Sequence, residues 1–119
     1  MKYGKKISGV RYHKSRNKKL HELPGQKRIV RLGEDKRKTV KTRGGNKKTF
    51  LFKAKKINLL VSGKVKSVEI KNVVETPSNR FLARQNVITK GTIVDTELGK
   101  ARVTNRPGQE GAVNGVLLK

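Results

Sequence analysis

The chain has no cysteine and no tryptophan, and its only aromatic residues are two tyrosines and three phenylalanines. Without cysteine it forms no disulfides and no thiolate metal sites, which excludes a small secreted scaffold held together by disulfides. No apolar run approaches the roughly 18 residues of a membrane-spanning helix. The opening MKYGKKISGV is basic but has no apolar stretch behind it. We therefore expect no secretory signal and a cytoplasmic protein.

Acidic residues are scarce as well: 8 Asp and Glu stand against 31 Lys and Arg, a formal net charge of +23. Residues 1–56 hold 21 basic and 3 acidic residues, and residues 57–119 hold 10 and 5. Such a surplus predicts a polyanionic partner, because it is attracted by phosphate groups and opposes its own compaction. Hydrophobic residues make up 33% of the chain, enough for one small domain but not for the whole length.

The N-terminal segment carries the strongest charge, with eight Lys and Arg and no acidic residue among the first nineteen residues. Its only aliphatic side chains there, Ile7 and Val10, cannot offset the entropy of ordering it. We predict that residues 1–26 form a basic arm, disordered when alone, that binds RNA phosphates. A solvated tail without a partner is the alternative. The candidate RNA-binding residues of this arm are Lys5, Lys6, Arg11, Lys14, Arg16, Lys18 and Lys19.

Four rings are interleaved with these cations: Tyr3, Tyr12, His13 and His21. Two interpretations stay open for them, because such rings either stack on unpaired bases or cover aliphatic surface.

From residue 27 onward the composition favours strands. The chain contains 27 Val, Ile and Thr but only four Ala. Turn signals every 8–12 residues predict an all-β fold, a small barrel of about six or seven short strands over residues 27–119. The run 47–54 predicts a strand with Phe50, Phe52 and Ala54 on one face. Ser78 to Gln85 is the one expected helical turn, and residues 106–109 fit a type II turn.

Thr42-Arg43-Gly44-Gly45-Asn46-Lys47-Lys48 is the sharpest local motif. Two glycines permit positive φ and bring backbone N–H groups close to an anion, and cations flank them. A plain Gly-Gly hairpin turn is the alternative. The strand before it places Arg37 and Lys41 on one face with Arg43. The candidate RNA-binding residues of this region are Arg37, Lys41, Arg43, Gly44, Gly45, Asn46, Lys47 and Lys48.

Three segments together resemble one known family. KKISGVRYHKSRNKKLHEL at 5–23, VKTRGGNKK at 40–48 and NVITKGTIVDTELGKARVTNRPGQEGAVNGVL at 86–117 are similar to the archaeal and eukaryotic small-subunit ribosomal protein eight of the e-type. The resemblance covers nearly the whole chain, whose length also looks archaeal. It implies a structural component of the small ribosomal subunit. It implies small-subunit rRNA and neighbouring ribosomal proteins as partners, and an rRNA contact at the Gly-Gly turn.

Catalysis has little support in the sequence. Both histidines, His13 and His21, precede the ordered region, so no Ser/His/Asp set can be assembled on strands. The phosphate-loop pattern GxxxxGK[ST] does not occur. We expect no enzyme activity, no metal, no cofactor, no membrane association and no small-molecule substrate.

Two other classes share the high charge. A chromatin or general nucleic-acid-binding protein would be as basic, but it would present a repeated duplex-binding surface rather than a charged arm. A cationic membrane-surface peptide would need a long amphipathic helix, which the β-branched, turn-rich sequence disfavours.

Overall fold

The structure, a computed structural model, describes residues 4–13 and 15–118. Tyr3 and Lys14 therefore lie outside the described residues. The predicted all-β barrel is confirmed, although the described ranges hold eight strands rather than six or seven. The strands are β1 Arg31–Leu32, β2 Lys36–Lys41, β3 Lys47–Ala54, β4 Lys56–Val61, β5 Lys64–Glu75, β6 Ile93–Thr96, β7 Gly99–Val103 and β8 Asn114–Leu117; the helix α1 is Arg80–Arg84, and short 3-10 turns lie at Leu20–Glu22 and Arg43–Gly45.

Strands β4 to β8 form a closed barrel in chain order. Neighbouring strands are antiparallel except β4 and β8, whose parallel pairing closes the barrel. Closure brings the backbone of Gly115 very near its neighbours. A Cβ there would lie 2.8 Å from Ile57 Cδ1 and 2.9 Å from the carbonyl oxygen of Arg102. Only glycine fits this point of the barrel without moving β4 or β7.

Strands β1 to β3 form a separate three-stranded sheet in the order β1-β3-β2. This sheet leads into the barrel through Lys55 alone. The prediction that Phe50 and Phe52 share one face of β3 is confirmed, because their ring centres lie 5.3 Å apart in an edge-to-face contact. Phe50 is buried, but Phe52 is 37% exposed, while Leu51 on the opposite face is 2% exposed. Strand β3 is therefore covered on both faces, with Leu51 in the core and Phe50 beneath Arg28.

One apolar core joins the sheet to the barrel. Val30, Leu51 and Ala54 pack in the same cluster as the inward side chains of the barrel. Backbone hydrogen bonds reinforce the junction: Ile88 N–H donates to the Val30 carbonyl at 2.9 Å. The cluster contains Val30, Leu51, Ala54, Ile57, Leu59, Val68, Ile70, Val73, Ile88, Val94, Ala101, Val103 and Val113.

The predicted helical turn is present as α1 and is capped at both ends. The Asn79 side chain accepts a hydrogen bond from Phe81 N–H at 3.0 Å, as an N-cap residue does. After the helix, Asn86 has φ +52°, and Val87 N–H donates to the Leu82 carbonyl at 3.1 Å. This is the Schellman geometry, with asparagine at the left-handed position. The two caps explain why so short a helix forms here.

The turn at residues 106–109 differs from its prediction. Gln109 N–H donates to the Arg106 carbonyl at 2.9 Å, so the turn exists. Gly108 does not have the positive φ that a type II turn requires. A Cβ there would lie 3.4 Å from the carbonyl oxygen of Arg28, so Gly108 packs beside the residues that precede β1.

Candidate nucleic-acid interface

The β2–β3 hairpin is the most highly charged element of the ordered body. Its two strands pair from Lys36 with Lys53 to Lys41 with Lys47, and every residue of β2 is exposed. Thr39 and Thr49 face each other with their hydroxyl oxygens 2.9 Å apart. The hairpin therefore presents a regular ladder of side chains to solvent.

The tip of the hairpin has the conformation that its sequence predicts. Gly44 and Gly45 have φ of +81° and +78°, which β-branched residues adopt only under strain. Thr42 N–H donates to the Asn46 carbonyl at 2.7 Å and closes the loop. A Cβ at Gly45 would meet nothing within 4 Å, so the backbone conformation, not crowding, requires glycine there.

Like charges face each other across the hairpin. Two of its register pairs, Lys41 with Lys47 and Lys36 with Lys53, are lysine pairs. Directly opposed like charges destabilise a pair of strands. No acidic residue occurs between Asp35 and Glu69 to offset this. The hairpin thus keeps its positive charge at some cost in stability.

Most cations of the hairpin lack an acidic partner. Arg37 is the exception, with Nη2 4.0 Å from Asp35 Oδ2. Over residues 4–13 and 15–118, no carboxylate lies within 4 Å of the other hairpin cations. These unpaired cations are Lys36, Lys38, Lys41, Arg43, Lys47, Lys48 and Lys53.

The N-terminal segment is exposed throughout its described part, from residue 4 to residue 29. The molecule measures 63 × 35 × 29 Å, and its radius of gyration of 20.2 Å exceeds the roughly 13.5 Å of a compact chain of this length. Local backbone contacts occur within the segment. Lys5 and Arg11 form an antiparallel bridge, and Lys6 N–H donates to the Val10 carbonyl at 2.8 Å. Lys5, Lys6 and Arg11 therefore sit on one small hairpin.

Arg16 is held by an acidic neighbour. Its guanidinium binds both carboxylate oxygens of Glu22, at 2.8 Å for Nη1 to Oε2. Glu22 also accepts from Lys19 N–H at 3.0 Å, which caps the 3-10 turn Leu20–Glu22. The Arg16 hydrogen bond, and then the Lys19 one, hold the pKa of the Glu22 carboxyl below its usual value. The same pair raises the pKa of Arg16.

The structure groups the predicted residues into two sets. Arg37, Lys41, Arg43, Asn46, Lys47 and Lys48 share the hairpin with Gly44 and Gly45, whereas Lys5, Lys6, Arg11, Arg16, Lys18 and Lys19 lie in the N-terminal segment. Tyr12, His13 and His21 are exposed within that segment. The Lys6 ammonium lies 5.7 Å from the centre of the Tyr12 ring, which gives this tyrosine a cationic neighbour.

Arg28 is a functional candidate that the sequence analysis misses. Its guanidinium carbon lies 3.8 Å from the centre of the Phe50 ring, and this contact covers the ring on the exposed side of β3. The two residues are 22 positions apart, and no local pattern in the sequence connects them. A second contact of this type places Arg80 5.2 Å from the Phe81 ring on α1.

Over the described ranges, no three His, Asp or Glu side chains are arranged to hold a metal ion. In the same part of the chain, no helix has both the length and the hydrophobicity needed to cross a membrane. The exposed cations of the hairpin and the N-terminal segment are therefore the main candidate site, and it suits an extended polyanion.

Comparison with known proteins gives a consistent result. Residues 1–118 match the family model described as Ribosomal protein S8e. The chain is 45% identical over 118 residues to the small ribosomal subunit protein eS8 of Staphylothermus marinus, covering 97% of this chain and 92% of that protein. The eS8 protein of Nanoarchaeum equitans is 41% identical over 115 residues, covering 95% and 91%. That of Methanosphaera stadtmanae is 41% identical over 117 residues, covering 97% and 93%.

Proposed function

Because the chain belongs to the ribosomal protein S8e family, we propose that it is a structural component of the small ribosomal subunit, in the cytoplasm, that binds rRNA without catalysis. Its partners are then small-subunit rRNA and neighbouring proteins of that subunit. The exposed cations of the β2–β3 hairpin and of the N-terminal segment make the RNA contacts.

The observation that carries this proposal is the opposed lysine pairing in the hairpin. Lys41 and Lys47 face each other at the last pair before the tip, with no carboxylate nearby among the described residues. A free protein gains nothing from this arrangement, since the two charges repel. Beside a phosphate backbone the same two cations each gain a partner and release a condensed counterion.

The hairpin and the segment have different tasks in this proposal. The hairpin is a regular element anchored by Leu51 in the core, so it fixes the position of the protein on the phosphate backbone. The N-terminal segment projects beyond the body and neutralises phosphates where RNA helices come close together. Arg16 takes part even though Glu22 holds it, because a guanidinium has five N–H donors and the pair uses two.

A salt titration of RNA binding tests this proposal. If about eight phosphates are neutralised, log K for a small-subunit rRNA fragment falls against log salt with a slope of magnitude about 6–7. A slope near zero in filter binding would contradict it.

A competition experiment distinguishes the ribosomal role from general nucleic-acid binding. At one fixed salt concentration, unlabelled rRNA fragment is expected to displace labelled rRNA far better than duplex DNA at equal phosphate concentration. Equal competition by duplex DNA would favour a chromatin-type protein instead.

A further inference from the structure

A cleft of about 600 Å³ lies where the N-terminal segment meets the body. It is lined by residues 25–28, by Val30 and Ser78, and by the loops 88–90 and 106–109. The volume lies within the roughly 300–1,000 Å³ typical of small-ligand sites. The cleft is distinct from the β2–β3 hairpin, because none of its lining residues belongs to β2 or β3.

The floor of the cleft is apolar and fixed. Val30, Ile88 and Pro107 contribute to it, and all three are buried. Backbone hydrogen bonds hold all three in place. Ile88 N–H donates to the Val30 carbonyl at 2.9 Å, and the Pro107 carbonyl accepts from Leu51 N–H at 3.1 Å. A flat apolar group entering the cleft therefore meets a preformed surface.

The rest of the lining is cationic and polar. Among the described residues that line the cleft, four are cationic and none is acidic: Lys27, Arg28, Lys90 and Arg106 are the cations. Gln26 and Gln109 add amide groups that both donate and accept hydrogen bonds. The Phe50 ring lies against the Arg28 guanidinium and restricts it. An apolar floor below a cationic rim is complementary to a planar base that carries a phosphate.

We propose that this cleft binds one unpaired nucleotide of rRNA, with its base on the floor and its phosphate at the rim. The inference rests on the proposed function, which supplies RNA as the partner, but it concerns a second contact. It also assigns a role to two sequence segments that lie outside the β2–β3 hairpin. Residues 88–90 and 106–109 both belong to the C-terminal run that carries the family resemblance, and the fold brings both into the lining of one cleft.

Titration of the full-length protein with mononucleotides tests the proposal without RNA. We would follow backbone amide NMR signals while adding adenosine monophosphate, and separately adenosine and inorganic phosphate. The expected result is saturable shifts at residues 25–28, 88–90 and 106–109, with a dissociation constant of about 1–5 mM for the nucleotide. Adenosine alone and phosphate alone should each bind at least threefold more weakly.

Matched variants separate the cleft from general charge. Lys90→Gln with Arg106→Gln removes two rim cations. Lys64→Gln with Lys66→Gln removes two exposed barrel cations outside the cleft. The first pair is expected to weaken nucleotide binding about tenfold and the second less than twofold. Thermal melts check that both remain folded.

Three results would overturn the proposal. The first is phosphate binding as tightly as the nucleotide, which would mean a simple anion site. The second is nucleotide shifts concentrated on the β2–β3 hairpin. The third is tighter binding of an acidic peptide such as tetraglutamate than of the nucleotide, which would make the cleft a protein contact. None of these would change the salt slope for the rRNA fragment, so failure here is distinct from failure of the proposed function.

Discussion

Replacing the opposed lysines Lys41 and Lys47 with glutamine should move stability and RNA affinity in opposite directions. Both side chains are exposed and face each other across the β2–β3 hairpin. Glutamine keeps most of the length of the side chain and removes the charge. The double variant relieves a repulsion in the free protein, so its free energy of unfolding should stay within about 0.5 kcal/mol of the parent, on the stabilising side.

The loss of affinity follows from counterion release. Each phosphate contact contributes about 0.9 to the salt slope on a B-form duplex and about 0.7 on single strands, and we take these two values as bounds for folded rRNA. Two lost contacts reduce the slope by about 1.4–1.8, which corresponds to roughly 25- to 60-fold weaker binding at 0.1 M salt. The difference between variant and parent should disappear as salt approaches about 1 M, because the released counterions then gain no entropy.

Filter binding of an rRNA fragment at several salt concentrations measures both quantities, and a thermal melt measures stability. The control is Lys64→Gln with Lys66→Gln, which makes the same change in net charge on the barrel. If the control loses as much affinity and slope as the hairpin variant, net charge alone drives binding. If the hairpin variant binds as the parent does, the opposed lysines have no RNA contact and the reasoning fails.

Three further predictions concern the other elements. Deleting residues 1–22 should change the melting temperature by less than about 2 °C, because the described residues of this segment are exposed and outside the core, while rRNA binding weakens strongly. Changing Gly44 and Gly45 to valine forces β-branched residues into positive φ, at roughly 1–2 kcal/mol per residue, and should lower both stability and RNA affinity; unchanged thermal and binding curves would contradict it. Changing Gly115 to alanine places a methyl group 2.8 Å from Ile57 and should destabilise the barrel by about 1–3 kcal/mol, with RNA affinity per folded molecule unchanged.

The sequence predicts those elements whose structure depends on residues close together in the chain. The Gly44-Gly45 turn follows from residues that alone tolerate positive φ at low cost, and the structure has it. The same holds for α1, where Asn79 supplies an N-cap within the sequence of the helix itself. Alternating β-branched runs similarly predict strands, and the barrel class is confirmed.

Long-range pairing could not be predicted in this way. Strands β4 and β8 pair in parallel, with Asn58 opposite Asn114. Neither segment carries a sequence pattern that predicts the other as its partner. The split into a closed barrel and a three-stranded sheet depends on that contact. Arg28 covers Phe50 through a similar long-range approach, which no local pattern predicts.

For the candidate site as well, the sequence predicts some features, whereas others depend on the tertiary fold. Composition alone predicted a basic N-terminal segment and a charged hairpin, because an excess of 31 basic over 8 acidic residues needs a polyanion. The pairing of Lys41 with Lys47 requires the register of the strands, and the cleft beside Arg106 requires the tertiary fold. Neither the lysine pairing nor the cleft corresponds to a recognisable residue spacing in the sequence.

A density map of the small ribosomal subunit from the source organism tests the central claim most directly. The account predicts this chain within the subunit, with the β2–β3 hairpin and residues 4–29 lying against rRNA phosphates. Lys41 and Lys47 should each have a phosphate oxygen within about 4 Å. A subunit that lacks the chain, or one in which the hairpin points into solvent while an acidic protein surface covers the N-terminal segment, would contradict it.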